Sequence, residues 1–309
     1  MGWKQAQELK SQKTAKAPSA DDGKYLILHA DDAGMSHNVN VATIETMTKG
    51  IASSCSIMVP CPWFPEFAKY ARENPKLDYG IHLTVNSEWK HFRWGPVAPR
   101  EKVPSLLDKD GYLWPDVPDV ALNAKASEVE IELHAQIDRA LKFGVPLSHL
   151  DTHMGSLVSR PDLIEVYVNT ALKYKLPILW TRVRSEESLR KYPALKENLD
   201  KLTKALEDAG LPVLDTLTTG VNGDDLETRK RAYLKVIREF KPGVHQIIIH
   251  CGVGNEELKA ITGRWSQRDE DRRIFTDPAV IAEVQKAGVK LIGWKDAREM
   301  LRVRTAQAE

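Results

Sequence analysis

The side chains of this chain best suited to chemistry are carboxylates and imidazoles that stand where apolar runs stop. Asp31 and Asp32 follow Tyr25, Leu26, Ile27 and Leu28 in Y-L-I-L-H-A-D-D-A-G. His82 lies in Y-G-I-H-L-T-V, His149, Asp151 and His153 lie in S-H-L-D-T-H, and His250 closes H-Q-I-I-I-H. Adjacent carboxylates repel each other. A divalent cation relieves the conflict by holding one and leaving the other free as a base. The same pair could instead form a turn and cap a helix. One strand histidine alone reads as a satisfied core residue. Asp and His drawn from four separate segments suit a borderline metal such as zinc, with a position left open for water.

The fold must bring those segments together. Residues 25–28 are short, continuous and apolar, the habit of a strand covered on both faces in a parallel sheet. Comparable runs recur at 53–59, 79–85, 145–153, 177–183, 213–217, 245–250 and 289–292. Between them lie helical patterns. Ser36 or Asn38 opens one that carries Val41, Ile44 and Met47 and stops at Gly50. Ser127 and Glu130 read as a capping box for 127–143, whose buried face is expected to hold Ile131, Ala135, Ile137 and Leu141. Further helices are expected at 64–73, 162–174, 185–209, 225–240 and 277–287. Eight candidate strands alternating with helices predict a single, irregular, TIM-like (β/α) barrel of seven to eight strands over 24–303. A flexible lead, 1–23, precedes it, and a tail, 304–309, follows.

In such a barrel the C-terminal strand ends converge on one mouth, which places all four polar segments together. Spacing then narrows the ligand set. Residues four apart on a strand are roughly 13 Å apart, at about 3.3 Å per residue, so His149 and His153 cannot share one ion there. His153, nearer the mouth, joins Asp32 and His82 in a three-ligand open site, and His149 lies deeper. Asp151 can orient one of the two flanking histidines. Asp31 remains as general base and His250 as general acid. Arg182, Arg184 and Arg268 are candidates for holding substrate or orienting carboxylates. Residues 86–118 carry Trp89, Phe92, Trp94, Tyr112 and Trp114 without a regular pattern. So long a loop suits a lid or a surface for sugar rings, or else a satellite core.

Taken in order, H-A-D-D-A-G, G-I-H-L-T-V, S-H-L-D-T-H and I-I-I-H-C-G resemble the YdjC/ChbG carbohydrate deacetylases, over roughly residues 24–301. The resemblance implies a distorted (β/α) barrel and one divalent metal ion, zinc or magnesium. It implies hydrolysis of the N-acetyl group of an amino sugar such as an N-acetylglucosamine oligosaccharide. It places the metal ligands on Asp32, His82 and His153, the base on Asp31 and the acid on His250. The chain departs from the family pattern at Met154, Gly155 and Leu157, at Cys251, at Gln246 and at Ala33. These departures bear on the substrate more than on the reaction.

Composition is consistent with a soluble enzyme. The 309 residues carry a formal net charge of +1, which offers neither a nucleic-acid surface nor a polybasic membrane anchor. No stretch approaches the roughly 20 apolar residues of a membrane span. Three cysteines, Cys55, Cys61 and Cys251, are too few for a disulfide framework. The polar start has no apolar h-region, so a cytoplasmic enzyme and an exported one whose signal has been cut away read alike. A homodimer is compatible with the sequence, which does not specify one. Two other functions are open to the same residues: another metal-dependent amide or ester hydrolase, and a sugar-binding barrel that has lost catalysis. The second should have lost Asp31 or His250, and both are present.

Overall fold

A computed structural model describes residues 23–182, 190 and 194–300. Seven strands form one parallel sheet: β1 (Lys24–Ala33), β2 (Ser54–Ile57), β3 (Tyr79–Leu83), β4 (Leu147–Thr152), β5 (Thr216–Thr219), β6 (Gly243–Ile249) and β7 (Val289–Leu291). The order is β4-β3-β2-β1-β6-β5. β6 runs along one edge of β1 from Lys24 to Ala30. The other edge is shared, by β7 over Lys24–Leu26 and by β2 from His29 onward.

The expected strand at 177–183 is replaced by an extended segment joined through two isolated parallel bridges, Leu150 with Ile178 and Thr181 with Leu214. Pro177 has no N–H, so it gives the ladder only an acceptor, its carbonyl taking the Leu150 N–H at 2.8 Å. Residue 183 lies outside the described residues.

Ten helices are described: α1 (His37–Thr48), α2 (Phe64–Glu73), α3 (Val117–Asn123), α4 (Ala126–Lys142), α5 (Pro161–Tyr174), α6 (Ala194–Asp208), α7 (Leu226–Arg238), α8 (Glu256–Ile261), α9 (Trp265–Thr276) and α10 (Pro278–Lys286). Ser36 caps α1 by accepting from the Val39 N–H. The expected capping box on α4 is absent, because its N-cap is Lys125 and no side chain caps it. The buried face of α4 is also rotated from the expected one. Ile131 and Leu141 are exposed, while Val129, Leu133, Ile137 and Ala140 are buried beside Glu132 and Gln136. Three polar residues, Glu128, Glu132 and Gln136, stand in the buried stripe, so an apolar pattern alone misplaces it.

β1 shows how the fold makes a site. Leu26, Leu28 and Ala30 face the helices in the larger apolar core. Tyr25 and Ile27 face the opposite side, with Val244, Ile248 and Trp294. Continuing on that inner face come His29 and Asp31. The interior is apolar at the strand's start and polar at its end.

Candidate active site

Neighbouring residues on a strand point to opposite faces, so Asp31 and Asp32 should diverge. They do not. Between Ala30 and Ala33 the register with β2 slips, and Asp32 takes a φ of 69°, in the left-handed region. Asp31 Oδ2 and Asp32 Oδ1 consequently lie 3.7 Å and 3.4 Å from the same atom, His82 Nε2. A non-glycine residue held there costs about 1–3 kcal/mol. Arg268, from α9, donates from Nη2 to Asp32 Oδ2 at 2.6 Å and helps to hold the turned side chain. The reading of the two aspartates as a helix cap does not hold, since both lie within β1 and Ser36 caps α1.

Asp32, His82 and His153 form a buried group whose ligand-type atoms all lie within 4.8 Å of one another. His153 Nδ1 is 3.5 Å from Asp32 Oδ1. Asp32 Oδ1 is buried and has no hydrogen-bond partner. Donors held at about 2.0–2.2 Å around a tetrahedral ion are roughly 3.3–3.6 Å apart, which matches these separations. The far nitrogens of both rings are anchored on carboxylates. His82 Nδ1 donates to Asp151 Oδ1 at 2.6 Å, and His153 Nε2 donates to Glu88 Oε2 at 3.0 Å. Those bonds leave His82 Nε2 and His153 Nδ1 free to present lone pairs toward Asp32.

The electrostatics favour a cation here. Burial opposes charge on His82, yet Asp151 and Asp31 outweigh it and hold its pKa well above the ordinary histidine value. Burial likewise opposes charge on His153, and Glu88 and Asp32 raise it to about 9. Burial would push Asp32 up, but Arg268 and the two histidines hold it well below the usual carboxylate range. The residues present could therefore hold a metal ion.

Asp31 is buried beside this group, and its Oδ2 lies 3.8 Å from Nε2 of His250. The His250 side chain is 43% exposed, so it borders both the site and its opening. It stands one residue past the end of β6. Its backbone N–H is fixed by Asp271 Oδ2 at 3.0 Å, and Asp271 in turn accepts from Arg229 and Tyr233. Loss of hydration lowers the His250 pKa, and Arg268 adds to this against the pull of Asp32 and Asp31.

The irregular segment 86–118 both packs and serves the site. Trp94 is buried, and its ring centroid lies 6.4 Å from that of His153. Arg268 lies over the ring of Trp89 at 5.8 Å. α4 pins the segment through side chains. Glu132 accepts from the Val97 and Ala98 N–H groups and Glu128 from the Ser105 N–H, while Gln136 bonds both backbone groups of Thr84, just ahead of the segment. The satellite-core reading of the aromatics applies, since Trp89, Phe92 and Trp94 pack on one another and against the larger core.

Other expected residues fall elsewhere. Asp151 orients neither His149 nor His153; its two oxygens accept from His82 and from His29 Nε2, the latter at 2.9 Å. The cross-strand register explains this, because His82 pairs with Asp151 on the same face. His149 is buried deeper, stacked on Trp294 and beside Asp78, and a side chain at Gly80 would overlap its ring. Arg182 is half-exposed and paired with Glu207. Arg184 lies outside the described residues. Two residues were missed. His29 carried a signal, standing two before Asp31 and hence on its face. Glu88 carried none, being one loop carboxylate among many.

A family model described as YdjC-like protein matches residues 25–286. A carbohydrate deacetylase of Thermus thermophilus is 32% identical over 282 residues, covering 90% of this chain and 95% of its own. A carbohydrate deacetylase of Thermoanaerobacter pseudethanolicus is 28% identical over 271 residues, covering 88% and 98%. A crystal structure from Enterococcus faecalis, provisionally described as a cellobiose-phosphate cleavage protein, superposes with a TM-score of 0.74 at 26% identity, covering 89% and 98%.

Proposed function

The chain belongs to the YdjC-like family, and from that premise and the geometry above we propose that it is a metal-dependent hydrolase acting on an amino sugar. The reaction is removal of the N-acetyl group, with an N-acetylglucosamine-type oligosaccharide as the substrate class. The observation that carries the reading is the orphaned Asp32 Oδ1 facing His82 and His153, each anchored behind by a carboxylate. The deacetylase names of the relatives support the bond that is cut.

Asp32, His82 and His153 would hold one divalent ion, and two imidazoles in the set favour zinc over magnesium. Such an ion supplies Lewis acidity at the acetyl carbonyl and lowers the pKa of water. Asp31 accepts the proton of the attacking water. His250, across from Asp31 and open to solvent, delivers a proton to the leaving amine nitrogen. Arg268 fixes Asp32, and Asp151 and Glu88 fix the tautomers of His82 and His153. Trp89, half-buried beside Arg268, offers an apolar ring to the C–H side of a sugar, and buried Trp94 packs edge-on against it. The scaffold reads as one closed, distorted barrel domain over 24–303, a closure supported by the bridges of residues 178 and 181.

The test is acetate release from N-acetylchitobiose by the ion-loaded protein, by chelated protein, and after zinc is restored. Release that disappears and returns with the ion is expected. No acetate from any N-acetylated sugar would refute the reading.

A further inference from the structure

We infer that His29 is a buried imidazolium, protonated on both ring nitrogens, which holds Asp31 and Asp151 in place from beneath the site. His29 is fully buried. Its Nδ1 is 3.1 Å from Ser54 Oγ. The single hydroxyl hydrogen of Ser54 is committed to Asp78 Oδ1 at 2.9 Å, and an ionised carboxylate cannot donate. Ser54 Oγ therefore accepts, and Nδ1 carries hydrogen. On the opposite side, Nε2 faces two carboxylates, at 2.9 Å from Asp151 Oδ2 and 3.2 Å from Asp31 Oδ1. A bare nitrogen lone pair would repel both, so Nε2 carries hydrogen as well. Ser56 Oγ, 3.1 Å from Nε2, completes the ring's polar neighbours. The nearest other ring is His149, edge-on at 5.0 Å, where burial and the His29 charge disfavour protonation.

Two consequences follow. Asp151 receives one N–H on each oxygen, from His82 and from His29, so it cannot rotate without losing a bond. Asp31 Oδ1 has no aligned hydrogen bond, and the His29 Nε2–H, 3.2 Å away, is the group that faces it from beneath. His29 is thus a positioning residue acting through Asp31 and Asp151. Its role in turnover rests on the proposed function, whereas its charge state does not.

The direct test is two-bond ¹H–¹⁵N correlation of the histidine rings in the metal-free protein at about pH 8, above the ordinary histidine range. The His29 signals are assigned by their loss in His29→Gln. Both ring nitrogens are expected to be of protonated type. One unprotonated nitrogen on His29 would overturn the inference, whatever the enzyme does. In the ion-loaded protein, His29→Leu, matched in bulk but without a donor, should lower kcat by about 10- to 100-fold with KM little changed. His29→Gln, which restores one donor toward the carboxylates, should recover part of that loss. Equal kcat for His29→Leu and wild type would remove the positioning role. Absence of acetate from wild type itself would implicate the proposed function instead.

Discussion

Replacing Asp151 by asparagine changes almost no volume but converts one acceptor oxygen into a donor. Asp151 sits between two N–H groups, at 2.6 Å from His82 Nδ1 and 2.9 Å from His29 Nε2. An amide satisfies one and confronts the other with a second donor. If its oxygen turns to His29, its NH₂ faces His82, which must move its proton to Nε2 and loses the lone pair aimed at Asp32. If its oxygen turns to His82, the charged His29 faces an NH₂ inside the protein. Loss of an outer partner of a ligand histidine typically weakens metal affinity by about 10- to 100-fold. That is about 1.4–2.8 kcal/mol, at 1.4 kcal/mol for each factor of ten. Removing one partner of a buried charge pair also costs about 3–5 kcal/mol of stability. Zinc titration against a competing chelator measures the first, and thermal denaturation of the metal-free protein the second. Asp151→Asn with wild-type zinc affinity and an unchanged Tm would refute the assigned tautomers.

Three other outcomes are expected. Asp31→Asn should keep its ion yet lose about 100- to 10,000-fold in kcat for acetate release, the range for removal of a general base. Full activity in that variant removes Asp31 from the base role. Arg268→Leu leaves Asp32 Oδ2 buried without its guanidinium, so the fall in Tm should be larger in chelated than in zinc-loaded protein. Equal falls would show that Arg268 and the ion do not share Asp32. Burial pushes the Glu132 carboxyl up to about 7 despite the N–H groups it accepts from. The folded state then keeps a proton that the unfolded chain releases near 4.5, so the stability from Glu132 falls between about pH 4.5 and 7 and is level above. Glu132→Gln should flatten that part of the Tm-against-pH curve, and an unchanged slope would contradict the assignment.

Much of this arrangement was legible in the sequence because parallel strands announce themselves. Runs such as 25–28 and 247–249 are apolar on both faces, and polar residues follow at their C-terminal ends. Helix positions followed from periodicity, but the rotation of α4 did not, since Glu128 and Glu132 are buried to hold the segment 86–118 and Gln136 to hold Thr84. The turn at Asp32 was also hidden: alternation separates neighbours, and only a register slip with a left-handed residue reunites them. Partners across the sheet depend on register, so Asp151 was assigned to its sequence neighbours rather than to His82 and His29. α8 and α9 were missed, and with them the placement of Arg268 on Asp32, because charged, weakly amphipathic stretches such as 265–276 carry little helical signal.

The most direct measurement is anomalous scattering at the zinc edge from crystals grown with zinc. The account predicts a single strong peak with Asp32 Oδ1, His82 Nε2 and His153 Nδ1 each at about 2.0–2.2 Å. A peak held by other residues, or density at full zinc that leaves those three atoms unligated, would contradict it.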